Sequence, residues 1–561
     1  MPKIEVSRRD LLGLAGLPDP GDEGLERILL PLKAELDGVD GDALKIELKD
    51  TNRPDLWCVE GVARAVRCLA LGREDHLAAM GAPLELSVDP ALRDVRPFIA
   101  GFRATGWTLD EEGLAALLAV QEKLADAFGR KRSLAAIGFH RAREIEFPVR
   151  YVTVPDASLM VPLGGTEEMS LRRILLETEK GREFAHLLAG LDRFPVLADA
   201  GGRIFSFPPV LNSNTTGRVR PGDDDLFCDV TGTDWETVQL TATILACNLE
   251  DRGARITPLA VLYPYDVPGG RAAVTTPVRF ADTLEVPAGG VRRLLGVELP
   301  PDRVLTALDR MDYASVGLSA DGTLRGILPP YRRDGIHPVD MIEDIAVSVG
   351  LDSFEPLLPG DFSIGRSAPV EELADAVRTI LAGAGCEEIL RPVLSSRERL
   401  VGLSRTPDRP VAIANPMTAE YGVVRNSLLP GLLEVESTSA HAAFPHRTFE
   451  AGEVLLAGAD GTCRTEQLLA CLVSGNAADL GDAHSILGAL CRERGIELSL
   501  EPCGDPRFVP GRAGTVLLGG CSAGVIGELH PAVLTDWGMT RPAAGFEIVL
   551  EALGTGCRSS G

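Results

Sequence analysis

The amino-acid sequence predicts a multidomain protein that combines the α/β and α+β classes. Its 561 residues are enough for about four domains of ~150 residues each. A hydrophobic content of 45% with 24% charged residues is ordinary for globular proteins. A breaking stretch, Val267-Pro268-Gly269-Gly270, separates a long mixed segment from the next part of the chain. We therefore expect domains at residues 1–85, 86–270, 271–360 and 361–561.

Charge and targeting signals restrict the class of protein. The net charge of −25 argues against nucleic-acid binding by the whole surface, because phosphate neutralisation needs clustered Lys and Arg. No apolar run approaches the ~20 residues that span a bilayer, and the N-terminus lacks the apolar core of a signal peptide. The eleven cysteines contain no Cys-x-x-Cys pair, so no zinc ribbon is indicated. We expect a cytoplasmic protein with no membrane contact.

The first domain is predicted to be a small α/β unit. Ile4-Glu5-Val6 and Ala43–Leu48 have strand character, and Ser7 precedes a short helix. Apolar residues recur at helical spacing from Leu56 to Leu71. A turn with a proline, Asn52-Arg53-Pro54-Asp55-Leu56, leads into that helix.

The second domain is predicted to mix helices with several strands. Helical spacing covers Glu111–Phe128 and Arg172–Leu191, and Ala136–His140 is a predicted strand. Asp199-Ala200-Gly201-Gly202 is typical of a hairpin turn, and the pair Pro208-Pro209 indicates a bend at a strand end.

Polar groups are expected to gather where the strands of this domain finish. They surround apolar Leu197 and Phe207, and they are Ser206, Asn212, Asp229, Thr231 and Asp234. A mostly apolar lining with a few oriented polar groups suits a small-ligand pocket. A polar-capped sheet edge explains the same residues equally well. His140 has no Cys or His at ligand spacing, which favours a structural histidine.

The third domain carries four acids within eleven positions: Asp334, Asp340, Glu343 and Asp344. Pro338 suits the first turn of a helix, and the last three acids would share one helix face. Carboxylate oxygens of this kind are ligands for Mg²⁺. The alternative is an acid-rich first turn that offsets the helix dipole. A helix at Val304–Met311 and a hairpin at Asp321-Gly322 precede this stretch.

Two motifs carry a resemblance to a known family. The run Tyr331-Arg332-x-Asp334-x-x-His337-x-x-Asp340-x-x-Glu343-Asp344-Ile345-Ala346 resembles the signature of the phenylalanyl-tRNA synthetase β subunit of archaeal and eukaryotic type. The Asn52–Leu56 turn joined to Val59-Glu60-Gly61 resembles the family's N-terminal domain. The resemblance extends over nearly the whole chain, and it implies that the four acids hold Mg²⁺ near the contact with an α subunit.

The resemblance also assigns the domains. It implies an editing domain of mixed sheets at 86–270, a winged-helix-like domain with the Mg²⁺ site at 271–360, and an inactive class II synthetase-like domain with an antiparallel sheet at 361–561. The end of the third domain, Ser348-Val349-Gly350-Leu351, departs from the family's usual pattern.

An editing pocket that hydrolyses tyrosyl-tRNA is implied by the same resemblance. Its residues carry over to Leu197, Ser206, Asn212, Arg218, Asp229 and Thr231. The physical reason is that a site for phenylalanine rejects the extra tyrosine hydroxyl only weakly, whereas a second site can bind that hydroxyl. Ser206 has no local base, so we expect an oriented water rather than a seryl intermediate.

The last domain begins with a predicted helix at Val370–Ala382, but it lacks the residues that class II synthetases use for ATP. Arginines that clamp phosphates are expected in two of its strands, but Phe449-Glu450-Ala451-Gly452 and Gly545-Phe546-Glu547 stand there. No residue of this chain is therefore predicted to catalyse aminoacylation. The resemblance implies an α₂β₂ enzyme in which the α subunit binds ATP and phenylalanine, with tRNA(Phe) as the other partner. A non-editing scaffold, and a free-standing paralogue that acts as a hydrolase or regulator, remain as alternatives.

Overall fold

A computed structural model describes residues 2–78, 80–270, 272–406 and 409–555. It divides into two compact units, Met1–Leu357 and Leu358–Gly561. Each unit contains helices packed on sheets, and each has its own buried clusters of apolar side chains. This mixed, multidomain architecture agrees with the predicted fold class.

The N-terminal part of the first unit is a three-stranded antiparallel sheet, order β1-β3-β2, packed on helices. Its elements are β1 (Lys3–Ser7), α1 (Arg8–Ala15), α2 (Asp22–Leu29), β2 (Ala34–Asp40), β3 (Ala43–Leu48) and α3 (Val59–Leu71). Ser7 caps α1 by accepting a hydrogen bond from the Asp10 N–H at 3.0 Å. The predicted strands and helices are confirmed, although a 3₁₀ turn at Pro54–Leu56 delays the start of α3.

The turn before α3 depends on a glycine in the helix. Arg53 binds Asp55 through two hydrogen bonds of 2.8 and 2.7 Å, and the Cys58 thiol caps the helix by accepting from Gly61 N–H. A Cβ added to Gly61 would lie 1.7 Å from the backbone oxygen of Asp55. The turn and the glycine must therefore occur together, which explains why the two halves of this motif are joined.

A large mixed sheet dominates the middle of the first unit. The strand order is β12-β11-β10-β7-β4-β14-β5-β13-β6, with β15 beside β14, while β8 and β9 pair separately. The elements are β4 (Leu84–Val88), β5 (Phe98–Thr105), α4 (Glu111–Lys123), β6 (Ala135–Arg141), β7 (Val149–Pro155), β8 (Leu159–Met160), β9 (Met169–Ser170), α5 (Leu171–Glu177), α6 (Glu179–Phe184), β10 (Arg193–Ala198), β11 (Ile204–Phe207), β12 (Leu211–Asn212), β13 (Asp225–Gly232), α7 (Trp235–Asp251), β14 (Arg255–Leu262) and β15 (Ala273–Thr276).

The two ends of this strand order approach each other. The Asn212 side chain on β12 donates a hydrogen bond of 3.2 Å to the Phe139 carbonyl on β6. All eight residues of β13 are buried between β5 and β6. The hairpin at Asp199–Gly202 and the bend after β11 are both confirmed.

One predicted helix in this region is wrong. Arg172–Leu191 does not form a continuous helix, because Thr178 is extended, with φ −89° and ψ 155°. Its hydroxyl donates to the Ile174 carbonyl at 2.8 Å and accepts from the Gly181 N–H at 2.9 Å. The side chain thus ends α5 and caps α6, a local competition that apolar periodicity alone does not reveal.

The third part of the first unit is a small sheet, order β16-β18-β17, with three helices. Its elements are β16 (Thr283–Val286), α8 (Gly290–Leu295), α9 (Pro301–Arg310), β17 (Ala314–Leu318), β18 (Leu324–Ile327) and α10 (Pro338–Val349). Leu308, Tyr313, Met341 and Ile345 fill its core. The predicted helix near Val304, the hairpin at Asp321-Gly322 and the helix starting at Pro338 are confirmed.

The second unit is built on a seven-stranded sheet in its described residues, order β19-β23-β24-β28-β27-β26-β25. The strands are antiparallel except for β19 beside β23, and a smaller sheet has the order β20-β22-β21. The elements are α11 (Pro369–Gly383), β19 (Glu387–Glu388), β20 (Leu394–Ser395), β21 (Val411–Ala412), β22 (Val423–Val424), α12 (Leu429–Thr438), β23 (His446–Ala457), β24 (Cys463–Ser474), α13 (Leu480–Arg494), β25 (Leu498–Pro502), β26 (Phe508–Leu518), β27 (Cys521–Leu529), α14 (Pro531–Asp536), β28 (Ala543–Val549) and α15 (Ala552–Thr555).

Within the described ranges, none of the helices combines the length and the apolar character needed to cross a membrane.

The contact at Gly61 predicts a steric penalty for a side chain there. We expect Gly61→Ala to destabilise the protein by about 1–3 kcal/mol, because the new methyl group must push back a backbone oxygen. The matched control is Gly13→Ala in α1, where a Cβ meets nothing within 4 Å and a gain of up to about 1 kcal/mol is expected. Urea unfolding followed by tryptophan fluorescence measures both. An unfolding midpoint for Gly61→Ala at or above that of the unmodified chain would contradict this account.

Candidate functional site

Three of the predicted pocket residues lie side by side on neighbouring strands. Leu197 on β10 pairs with Ser206 on β11, and Ser206 pairs with Asn212 on β12. The Ser206 hydroxyl donates to Asn212 Oδ1 at 3.2 Å. Leu197 is fully buried and belongs to an aromatic cluster that includes Phe205 and Phe227. These strands therefore supply an apolar wall with two polar groups at its edge.

Asp229 and Thr231 lie on the same face of β13, since they are two positions apart. Asp229 Oδ1 is hydrogen-bonded to His140 Nε2 at 2.7 Å, and both side chains are buried. His140 Nδ1 lies 3.4 Å from Thr216 Oγ1, which in turn is 2.9 Å from Ser213 Oγ. With a proton on Nε2, the His140 ring donates to Asp229 and accepts from Thr216. One oxygen of the buried Asp229 carboxylate thus has a histidine partner, and that histidine is itself beside Thr216.

Sequence reasoning missed the pairing of His140 with Asp229. The two residues are 89 positions apart, and only the register that sets Gly138 opposite Asp229 brings them together. A Cβ on Gly138 would lie 2.5 Å from Asp229 Oδ1 and 2.8 Å from His140 Nε2. A glycine two positions before the histidine in the same strand is therefore the one local sign in the sequence that His140 has a close partner across the sheet. His140 remains a hydrogen-bonded core histidine, as the sequence suggested.

Thr231 belongs to a different part of the same network. Its hydroxyl accepts from Arg96 Nε at 3.0 Å, and its carbonyl accepts from Arg96 Nη2 at 2.5 Å. Burial lowers the pKa of Arg96 to about 10. The Tyr151 hydroxyl donates to the Arg96 carbonyl at 3.0 Å, and Tyr151 pairs with Leu197. Strand pairs and hydrogen bonds therefore connect Thr231 back to the wall formed by β10.

Arg218 is the predicted pocket residue that the structure does not bring into this network. It lies in the loop after β12 with an exposed side chain. Among the residues that the structure describes, it makes no ion pair or side-chain hydrogen bond. A mobile ligand could reach it from solvent, whereas the other five residues are held by the sheet.

The four acids of the third domain line one small cavity of about 50 Å³. Asp340 Oδ2 accepts from the N–H groups of Ile336 and His337 at 2.8 Å each, so it takes part in the capping box at the start of α10. Glu343 binds Lys33 Nζ at 2.5 Å. Asp340 and Glu343 thus already have protein partners near the N-terminus of α10.

Asp334 and Asp344 share a buried arginine. Arg332 donates to Asp334 at 3.0 and 2.6 Å and lies 2.9 Å from Asp344, which also accepts from the Tyr313 hydroxyl at 2.8 Å. Burial acts to raise the pKa of Asp334, but Arg332 and Arg53 lower that pKa well below its usual range. The pKa of Asp344 is raised, because the effect of burial exceeds the lowering by Arg332 and Arg53.

The donor chemistry of this cavity fits Mg²⁺, although the ligand positions are not preformed. The lining holds five carboxylates against three cations, so its formal charge is −2. Oxygen donors are the ligands that Mg²⁺ prefers, with one or two carboxylates and water being sufficient. Among the residues that the structure describes, these four acids do not bring three ligand atoms within 4.8 Å of one another. Such a group is found elsewhere, at Glu74, His76 and Asp251. An ion here would share its carboxylates with Lys33 and Arg332.

In the second unit, carboxylates occupy the two strand positions where arginines were sought. Glu450 pairs across strands with Ala470, and Ala470 pairs with Glu547, so both acids stand in one row of the sheet. Arg425 binds Glu450 at 2.7 Å, and Arg507 binds Glu547 at 2.9 Å. Burial raises the pKa of Glu450. This row presents negative groups, which are unsuited to hold phosphates.

Comparison with known proteins covers both units. Residues 357–550 match a family model described as the phenylalanyl tRNA synthetase beta chain CLM domain, and residues 284–351 match one described as the tRNA synthetase B5 domain. The phenylalanine–tRNA ligase β subunit of Pyrococcus furiosus is 36% identical over 99% of this chain and 100% of that protein. Its counterpart in Borrelia hermsii is 35% identical over 99% of this chain and 100% of that protein.

A solved structure resembles the first unit. It is the crystal structure of an N-terminal fragment of the phenylalanyl-tRNA synthetase β subunit from Pyrococcus horikoshii. Its TM-score is 0.57 at 35% identity, and the match covers 62% of this chain and 99% of that fragment.

The buried arginine of the acid cavity generates a stability prediction. Arg332→Met removes the arginine that contacts both Asp334 and Asp344 and leaves only the more distant Arg53, so we expect a loss of about 3–5 kcal/mol at neutral pH. Urea unfolding measures this loss. Because the pKa of Asp334 is lowered in the folded chain, its contribution is present above about pH 4 and is lost on acidification. The difference between the two proteins should therefore shrink as the pH falls below about 4.

Arg333→Met is the matched control for that experiment. Arg333 pairs with Asp282 at 2.8 Å near the surface, so we expect its replacement to cost about 1 kcal/mol or less. Equal losses in the two variants would contradict a special role for Arg332.

Proposed function

The chain belongs to the family of phenylalanyl-tRNA synthetase β subunits, and we propose that it assembles with an α subunit as an α₂β₂ enzyme. That enzyme attaches phenylalanine to tRNA(Phe) with ATP, which the α subunit binds together with phenylalanine. The carboxylates Glu450 and Glu547 support this division, because they stand where phosphate-binding arginines would be needed. With a net charge of −25, contacts to tRNA fall to local arginine patches or to the α subunit.

The proposed activity of this chain is hydrolysis of tyrosine wrongly attached to tRNA(Phe). The observation that carries it is the buried Asp229–His140 pair, next to an apolar wall edged by Ser206 and Asn212. A tyrosine side chain combines a large apolar ring with one hydroxyl, and this composition offers matching surfaces for both. A site that hydrogen-bonds a hydroxyl discriminates far better than one that only accommodates it.

The residues in this proposal orient groups rather than attack the ester. His140 holds one oxygen of Asp229, which limits the rotation of the carboxylate. Ser206 and Asn212 are linked to each other and to the Phe139 carbonyl, which limits their rotation. A water positioned by such fixed polar groups would attack the ester carbonyl. This route needs no covalent serine intermediate.

The editing proposal predicts a selective loss of tyrosine release. In the complex assembled with its α subunit, Asp229→Ala should slow deacylation of Tyr-tRNA(Phe) by about tenfold or more, because a fixed polar group is lost from the site. Asn212→Ala should act in the same direction. Formation of Phe-tRNA(Phe) should stay unchanged, since the α subunit carries that site. The measurement is the time course of ester loss from tRNA charged with labelled tyrosine.

Asp225→Ala is the matched control on the same strand. Asp225 pairs with Arg103 at 2.6 Å and lies four positions from Asp229, or about 13 Å along the strand. It should leave deacylation unchanged. An unmodified complex that forms Phe-tRNA(Phe) but never releases tyrosine would establish the non-editing scaffold instead. Deacylation by the chain alone, with no α subunit binding, would favour the free-standing paralogue.

We further propose that Asp334, Asp340, Glu343 and Asp344 hold Mg²⁺ in the third domain. The ion would supply positive charge for a cavity whose lining has a formal charge of −2. Asp340 and Glu343 project from the first two turns of α10, and Lys33 contacts Glu343 from the N-terminal domain. An occupied site would therefore steady α10 and the surface that it offers to the α subunit.

This proposal predicts that metal binding and subunit assembly weaken together. Asp340→Asn removes a ligand charge while leaving an oxygen that can still cap α10. It should lower the Mg²⁺ content after dialysis and raise the Kd for the α subunit, measured by light scattering at varied concentration. Asp340→Ala should act more strongly. Asp321→Ala, in the exposed hairpin of the same domain, should change neither quantity. Unchanged metal content and assembly in the Asp340 variants would contradict the proposed role of Asp340 in binding Mg²⁺.

A further inference from the structure

A second group of potential metal ligands lies away from the acid cavity of the third domain. Glu74, His76 and Asp251 each offer one ligand atom, and these atoms lie within 4.8 Å of one another. Glu74 and His76 follow α3 in the chain, whereas Asp251 is the last residue of α7. We call these three residues the His76 cluster. It joins the N-terminal domain to the large sheet domain.

His76 has a nitrogen that the protein leaves without a partner. The side chain is only 4% exposed, and Nε2 is buried with no hydrogen bond. A buried nitrogen without a hydrogen bond destabilises the folded chain, so its presence needs an explanation. The nearest acid oxygen is Glu74 Oε2, at 3.9 Å from Nε2. Two atoms that each lie about 2 Å from one ion are at most about 4 Å apart, so this separation leaves room for a metal.

The other ring nitrogen is oriented as in known histidine–metal sites. His76 Nδ1 lies 3.4 Å from Glu250 Oε2, and that same oxygen accepts from the Leu77 N–H at 2.9 Å. With the proton on Nδ1, beside Glu250, the lone pair of Nε2 would be left for a metal. A carboxylate behind a metal-bound histidine fixes the tautomer and raises the basicity of the ligand.

We propose that the His76 cluster is a structural site for a divalent transition metal, with zinc as its simplest occupant. One imidazole nitrogen with two carboxylate oxygens is a donor set that suits zinc, and the nitrogen distinguishes it from a magnesium site. The ion would tie the segment after α3 to the end of α7. It is independent of the editing and Mg²⁺ proposals, since it shares no residue with either.

Two arginines compete for the same carboxylates. Arg67 contacts Glu74 at 2.5 Å and Asp251 at 2.6 Å, and Arg64 contacts Asp251 at 2.7 Å. Glu74, Glu250, Asp251 and the nearby Asp312 outnumber these two cations, so the junction keeps a formal charge of −2. A metal would displace the Arg67 contact with Glu74, whose side chain is 40% exposed.

The test is zinc binding by the untagged full chain. Metal analysis after dialysis should find one more zinc ion in the unmodified chain than in His76→Ala. Where His76→Ala still binds that ion, isothermal titration with Zn²⁺ should show its affinity lowered by about tenfold or more. Glu74→Gln is a second variant. Its side chain is partly exposed, so we expect this substitution to leave the fold intact. Co²⁺ added in place of Zn²⁺ should give visible absorption bands that both variants lose. Excess Mg²⁺ should not displace either ion, because imidazole is a poor ligand for it.

Two further variants decide the outcome. His186→Ala removes an exposed histidine of the same unit and should leave the zinc content unchanged. Arg67→Gln removes the competitor and should raise the zinc affinity. An equal zinc content and affinity in the unmodified chain and His76→Ala would overturn the proposal, as would an unchanged affinity in Arg67→Gln. In that case the cluster is an ion-pair junction only.

Discussion

Arg64 is the side chain on which the first unit depends. It is fully buried in α3, where it donates to Asp251 at 2.7 Å and to Asn248 at 2.6 Å, both on α7. Its guanidinium lies 4.4 Å from the centre of the Tyr331 ring. One cation therefore joins the N-terminal helix, the helix behind the large sheet and the acidic stretch of the third domain. Removing a partner from a buried ion pair costs about 3–5 kcal/mol, so these contacts fix how the three parts pack.

The same contacts explain why the two motifs of the family resemblance belong together. The N-terminal motif supplies Arg53, which lies 3.8 Å from Asp334 of the third-domain motif. Lys33 reaches Glu343 from the same side. Residues 281 and 310 positions apart in the chain thus neutralise one another in a single cavity, because buried carboxylates need cations close by. A metal at this cavity would join an existing balance of charge rather than create one.

Much of the fold could be predicted from local pattern, and much of the site could not. Apolar periodicity located α11 within one residue at each end, predicted at Val370–Ala382 and found at Pro369–Gly383. Periodicity failed at Thr178, where a side chain bonded to the backbone outweighs the apolar repeat. The pocket residues held by the sheet were predicted from composition and from the resemblance, but the contact of His140 with Asp229 depends on the register of β6 and β13. The pairing register of two strands that are far apart in sequence cannot be predicted from either strand alone.

In the second unit, two carboxylates of the large sheet are held by buried polar partners. Glu547 accepts hydrogen bonds from the Ser427 hydroxyl and the Leu428 N–H, and it also binds Arg507. Glu450 is held by Arg425 in the same way. Arg425 and Arg507 are paired with carboxylates of the sheet, so these two arginines are not available to clamp a phosphate. An ATP molecule placed against this row would meet two buried acids. The interactions that stabilise this unit therefore engage both arginines with carboxylates of the row.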